Sequence, residues 1–206
     1  MKLSIIIPAY NEEKLVQRAL DSVPLSEDYQ LILVNDGSTD KTGEIMEKWF
    51  MEKQTLIGVN SCYLPLKENG GIAKAMNMGF DMAEGEYIVS LSADDYYIKD
   101  FEPFMPYLDG TNDLIYFDLQ INNGEIWHID EKSKHLYPGA VKFIRNGFLA
   151  DTRVPDLKYR EDVPFSAALQ HKIPKEVFTG IVLKHYNFPH EGSLTWQAWE
   201  DDDKRR

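Results

Sequence analysis

Four short apolar runs punctuate the first half of the chain, and a helix-like segment follows each of the first three. The runs are Leu3–Ile7, Leu31–Val34, Ser61–Leu66 and Tyr87–Leu91. Strands buried on both faces read as continuous apolar stretches rather than alternating ones. Between them, Glu12–Val23 places Leu15, Val16, Ala19, Leu20 and Val23 at helical spacing. Thr39–Lys53 does the same with Ile45, Met46, Trp49 and Phe50, and Ser38 or Thr39 is its expected cap. Ile72–Ala83 repeats the pattern with Ile72, Ala75, Met76, Gly79 and Phe80. Such alternation predicts an α/β architecture: a parallel sheet with helices on both faces.

The second half is mixed. Asp113–Ile121 and Glu125–Ile129 flank Asn122-Asn123-Gly124, a hairpin signal. Helices are expected at Gly139–Leu149 and Asp162–His171, and a late strand at Thr179–Phe188. The end, residues 196–206, is a charged tail. Nothing reads as a linker, so residues 1–206 are expected to form one domain with two halves, 1–95 and 96–195.

Composition narrows the function classes. At 206 residues one core buries roughly 70% of the unfolded surface, so no covalent staple is needed. The lone Cys62 sits in a strand pattern and reads as structural. Lys and Arg number 22 against 34 Asp and Glu, a net charge of −12, which argues against a nucleic-acid surface. The apolar runs fall far short of the ~20 residues that span a bilayer. Met1-Lys2 leads straight into the first strand pattern, without a signal-peptide core. A soluble cytoplasmic protein is expected, with peripheral membrane association left open.

In open parallel sheets, ligands bind at the carboxyl ends of the strands. Three polar clusters fall at such ends: Pro8-Ala9-Tyr10-Asn11-Glu12-Glu13, Asn35-Asp36-Gly37-Ser38-Thr39-Asp40 and Ser92-Ala93-Asp94-Asp95. Taken singly, each also reads as a cap, a turn or a solvated loop. Together, in this order and spacing, they resemble the family 2 glycosyltransferases. The resemblance continues through Asn69-Gly70-Gly71, Ala75-Met76-Asn77-Met78-Gly79 and Ala83-Glu84-Gly85-Glu86-Tyr87-Ile88, then Arg160-Glu161-Asp162 and Tyr186…His190…Ser193-Leu194-Thr195.

The resemblance implies a GT-A fold with a Rossmann-like nucleotide-sugar half and a smaller mixed acceptor-side half. It implies a nucleotide-sugar donor, inversion at the anomeric carbon, and a divalent metal, Mn2+ or Mg2+. Pro8, Ala9, Tyr10 and Glu12 would line the nucleoside pocket. Asp36 would accept the imide N–H of uracil or thymine, which points to a UDP-sugar first. Lys74 would offset diphosphate charge at a helix start, or is a solvated helix lysine. The family's Asp-x-Asp places an aspartate at position 92, where this chain has Ser92. Asp94 would then hold the metal, with Asp95 ordering a water or sugar hydroxyl and His190 as a further ligand or a surface histidine. Asn187 stands where an arginine is common. Ser193 and Thr195 would reach phosphate. Of Glu161 and Asp162, Asp162 would face the anomeric carbon as general base. It also reads as an N-cap, and the two roles can coexist.

The implied acceptor is a glycan or a lipid-linked sugar, in polysaccharide or glycoconjugate synthesis. Two rivals are weighed against this. A catalytically silent nucleotide- or glycan-binding protein would suit Ser92 and Asn187. A sugar-nucleotide pyrophosphorylase would need a glycine-rich, basic loop after the first strand, and Pro8–Glu13 is neither.

Overall fold

The structure, a computed structural model, describes residues 1–134, 141–188 and 190. The first four strands are β1 (Leu3–Ala9), β2 (Tyr29–Asn35), β3 (Cys62–Pro65) and β4 (Tyr87–Ser90). They pair in parallel, with β1 between β2 and β4 and β3 outside β2. Helices α1 (Val16–Asp21), α2 (Thr42–Lys53) and α3 (Ile72–Met82) alternate with them. Every residue of β1 is buried, as its mostly apolar sequence requires, and the one polar residue, Ser4, donates its hydroxyl to Gln30 Oε1 at 2.6 Å.

The remaining strands are β5 (Tyr96–Tyr97), β6 (Leu114–Ile121), β7 (Ile126–Trp127), β8 (Lys142–Arg145) and β9 (Glu176–Tyr186). Among the described residues they extend the same sheet in the order β3-β2-β1-β4-β8-β6-β9-β5, with β7 on β6. β8 runs antiparallel to both β4 and β6, and β9 runs parallel to β6. A short 3-10 turn (Glu102–Phe104) and helices α4 (Asn146–Leu149) and α5 (Asp162–Gln170) complete the described elements. Phe101, Phe104, Phe117 and Phe143 fill this half's core, with ring centroids 5.2–6.2 Å apart.

The alternation and the Asn122-Asn123-Gly124 hairpin are present as expected. Three local expectations change, and one short strand is new. Residues 142–145 form a strand rather than part of a helix over 139–149, because Phe143 joins the aromatic core and Lys142–Arg145 bridges β4 and β6. Only Asn146–Leu149 is helical there, and residues 139 and 140 lie outside the described set. Helix α1 begins at Val16 rather than Glu12, since the Glu12 and Glu13 N–H groups donate to Thr42 Oγ1 (2.7 Å) and Asp40 Oδ2 (3.1 Å). Helix α2 begins at Thr42, whose N–H donates to Asp40 Oδ1 at 2.9 Å, while Ser38 and Thr39 bond Asn11 instead. The two-residue β5 had no readable sequence pattern.

Candidate active site

The crevice opens where β1 and β4 part. Their pairing ends at Ile6 and Ser90, after which the Leu91 N–H still reaches Ile6 O at 3.0 Å. Pro8 lies just beyond, where β1 has no β4 partner and a missing N–H costs nothing. Pro8 and Ala9 are buried inside β1, and Ala9 O accepts the Asp36 N–H at 2.9 Å. Tyr10 projects from the strand end and is 42% exposed.

The next residue turns the chain. Asn11 adopts a left-handed backbone, φ 53°, uncommon outside glycine. Its side-chain oxygen accepts the Thr39 N–H at 2.8 Å, and its own N–H donates to Ser38 Oγ at 3.1 Å. The loops after β1 and β2 are thereby stitched into one wall. Asp36 is 3% exposed and closes the wall from the other side, where Oδ1 accepts the Gly70 N–H at 2.8 Å. Gly37, at φ 68°, lies against the Glu68 backbone, where a Cβ would approach to 2.3 Å. Lys74 follows on the first turn of α3, and its side chain folds back over Gly70.

Ser92–Asp95 forms a turn closed by the Asp95 N–H on Ser92 O at 3.0 Å. Its two aspartates separate. Asp95 points inward, 1% exposed, pairing with the Lys184 ammonium at 3.0 Å and accepting the Asn187 N–H at 2.9 Å. It therefore braces the turn through protein partners, and Asn187 contributes its backbone. Asp94 faces the crevice, with 18% of its side chain exposed and Oδ2 3.7 Å from His190 Nδ1. Burial first, then the Asp95 charge, pushes the Asp94 carboxyl up to about 6. Glu12, just after β1, is pushed up to about 7 by burial and then by Asp94, Asp40 and Asp95.

These groups fit a divalent cation shared with a diphosphate. His190 Nδ1 is enclosed and has no hydrogen-bond partner among the described residues. The described residues contain no cluster of three metal-type ligands. A phosphate-bound cation draws its other ligands from phosphate oxygens and waters.

Glu161 and Asp162 begin α5, after Arg160 turns the chain at φ 59°. Glu161 occupies the cap position without a side-chain capping bond. Burial raises both carboxyls, Glu161 further through the Asp162 charge, whereas Lys142 pulls Asp162 back down. Helix α3 ties this element to the crevice. Its Phe80 stacks on Phe165 of α5 at 5.6 Å, and Asn77 both donates to Val154 O and accepts the Val154 N–H, each at 2.8 Å.

Ser193 and Thr195 lie outside the described residues. The structure also brings in residues that sequence reasoning missed. Arg18 donates to Asp94 O at 2.7 Å and covers the Tyr96 ring at 4.6 Å, which in turn stacks on His185. Lys142 and Lys184 are charges inside apolar strand runs, a signal that such lysines are paired. Arg18 has no comparable local signal.

The family model described as Glycosyl transferase family 2 matches residues 4–178. The chain belongs to glycosyl transferase family 2. A family relative, an uncharacterized glycosyltransferase of Rickettsia typhi, is 37% identical over 142 residues, covering 66% of this chain and 39% of that protein. Poly(ribitol-phosphate) beta-N-acetylglucosaminyltransferase TarS of Staphylococcus aureus is 33% identical over 107 residues, covering 48% of this chain and 17% of that protein. This chain thus spans well under half the length of either. The structure of S. aureus TarS 1-349 in complex with UDP-GlcNAc matches at TM-score 0.78 and 23% identity, covering 95% of this chain and 61% of that one. A mannosyltransferase from Pyrobaculum calidifontis, in complex with GDP-Man and Mn2+, matches at TM-score 0.70 and 18% identity, covering 96% and 59%. The fold is GT-A. No helix among the described residues is long and apolar enough to cross a membrane.

Proposed function

We propose that this chain moves a sugar from a UDP-sugar to an acceptor hydroxyl with inversion. The observation that carries the reading is the pair Glu12 and Asp94. Both carboxyls, one after β1 and one after β4, are raised by burial and by neighbouring acids, Glu12 by the Asp94 charge among them, a negative site that a cation and its diphosphate would complete. The UDP-GlcNAc complex of TarS supports the donor class.

Asp36 offers its second oxygen, Oδ2, to the uracil imide, and Lys74 lies beside the loop that would carry the diphosphate. Asp94 and His190 would hold a divalent cation, Mn2+ or Mg2+, which neutralises charge on the leaving diphosphate. The acceptor proton passes to the Asp162 carboxylate as the acceptor oxygen attacks the anomeric carbon. The bond from that carbon to the diphosphate oxygen breaks, and its electron pair leaves with the diphosphate. Attack opposite the leaving group inverts the centre in one displacement. The name of TarS, a poly(ribitol-phosphate) transferase, supports a glycan or lipid-linked acceptor in polysaccharide or glycoconjugate synthesis. A cytoplasmic protein with peripheral membrane contact would suit it.

The test is calorimetry with UDP and manganese, followed by UDP release from UDP-GlcNAc. Asp94→Ala is expected to abolish manganese-dependent UDP binding and leave the melting temperature little changed, because the carboxylate faces the crevice rather than the core. Parent-like titration of that variant moves the cation elsewhere. UDP binding without release from any of a panel of UDP-sugars makes the chain a silent binding protein.

A further inference from the structure

A buried lysine lies beneath the start of α5. Lys142 is 5% exposed and opens a strand whose first three residues are buried, with buried Val141 and Phe143 on either side of it. Its ammonium bonds Ser166 Oγ at 3.1 Å and lies 5.7 Å from the Tyr116 ring centre. Ser166 follows Asp162 by four residues, so both lie on one face of α5. The ammonium therefore meets α5 one helical turn along from Asp162.

The other acid facing Lys142 is already committed. Glu176 of β9 takes the Lys134 ammonium at 2.5 Å, the Gln170 side-chain N–H at 2.6 Å and the Tyr116 hydroxyl at 2.9 Å. Glu131 gives Lys134 a second partner at 2.9 Å. On the helix itself, Glu161 adds a negative charge beside Asp162. Lys134 already answers Glu176 and Glu131, and Asp162 is the acid whose charge acts most strongly on Lys142. A buried ammonium is costly unless a specific partner repays it.

We propose that Lys142 is a positioning residue: its ammonium, anchored on Ser166, keeps the Asp162 carboxylate ionised and aimed at the acceptor's proton. This rests on Asp162 being the base. Burial opposes ionisation of Asp162, and Lys142 is the cation that counters it. Burial in turn brings Lys142 down to about 8, so it remains charged at neutral pH.

The test needs a readout that a structural role would not move. Carboxyl-carbon NMR follows the Asp162 titration in the parent, Lys142→Met and Lys142→Arg, with folding checked by melting. Lys142→Met is expected to move the Asp162 midpoint up by about one unit, the low end for a lost opposite charge. Lys142→Arg is expected to restore most of it. UDP release from UDP-GlcNAc with manganese is expected to lose its acid-side activity over the same interval, with UDP affinity unchanged. If Lys142→Met does not fold, Ser166→Ala carries the test: it removes the hydroxyl anchor and is expected to move the midpoint upward by less. An unmoved midpoint in the folded variant overturns the proposal. Parent-like UDP release by Asp162→Asn instead overturns the base assignment, whatever the midpoint does.

Discussion

The two halves of the sheet treat charge in opposite ways. In the first half, β1 is buried at every position, and its carboxylates collect at the strand ends with like-charged neighbours. In the second half, β9 is mostly half-buried, and the acids meet buried lysines: Glu176 meets Lys134, and Asp162 has Lys142 behind it. The parallel half thus gathers carboxylates among like charges, which the proposed cation would balance. The mixed half carries its own counter-charges, so a base there can stay ionised without a ligand. One half suits a charged donor and the other a neutral hydroxyl.

The largest effect tests the second half. Asp162→Asn is expected to lower turnover about 10²–10⁴-fold, roughly 3–5 kcal/mol of barrier. UDP affinity should hardly move, the melting temperature should fall because the buried Lys142 loses its counter-charge, and Glu161→Gln should be milder. Steady-state UDP release checks this, and the reverse ranking would exchange the two roles.

A smaller effect tests the joint between the halves. Asn77→Ala leaves both backbone groups of Val154 without their partner. The expected cost is about 1–3 kcal/mol, and each lost kcal/mol lowers the melting temperature by about 2–4 °C at this size. An unchanged melt would mean that Phe80 and Phe165 hold the halves together without it.

The third prediction tests the gathered carboxylates. Glu12 rises from 4.5 to about 7 and Asp94 from 3.8 to about 6. Raised carboxyls bind protons more tightly in the folded state, so the stability they contribute is complete below the ordinary values. It disappears as pH rises through the folded ones. Between about pH 4 and 7 the unliganded parent should therefore lose stability relative to a Glu12→Gln/Asp94→Asn variant. The difference should reach about 2–4 °C, and manganese with UDP should reverse it for the parent alone. A constant offset across that window would mean that the crevice carboxylates are already compensated.

The smallest effect concerns the donor's base. Asp36→Asn keeps an oxygen for the Gly70 N–H but offers the imide a less selective partner. A few-fold narrowing of the UDP-over-GDP preference is expected by calorimetry. Equal affinities in the parent would remove Asp36 from that role.

The first half was legible because its signals are local. Continuous apolar runs, helical spacing and three polar clusters at strand ends place Tyr10, Asp36 and Asp94 on one rim. The second half was less so, because its determinants are distant. Lys142–Arg145 is a strand only because β4 and β6 leave a slot for it. The resemblance gave Asp94 and Asp95 different roles, but only the fold shows Asp95 turned inward, held by Lys184 and Asn187 far along the chain. Likewise, Asp162 was visible in its motif, whereas Lys142 needed the packing of β8 against α5.

The Asp95–Lys184 pair also sets an order of events during synthesis. Asp95 and Asn187 are 92 residues apart, so the partners that brace the acid turn are made long after it. At ribosomal speeds that interval is on the order of ten seconds. Throughout it the parallel strands have already emerged, while Asp95 lacks the lysine that makes its burial tolerable. The crevice therefore matures only when β9 takes its place along β6. A nascent chain stalled before Lys184 would have its early strands but not its finished acid turn.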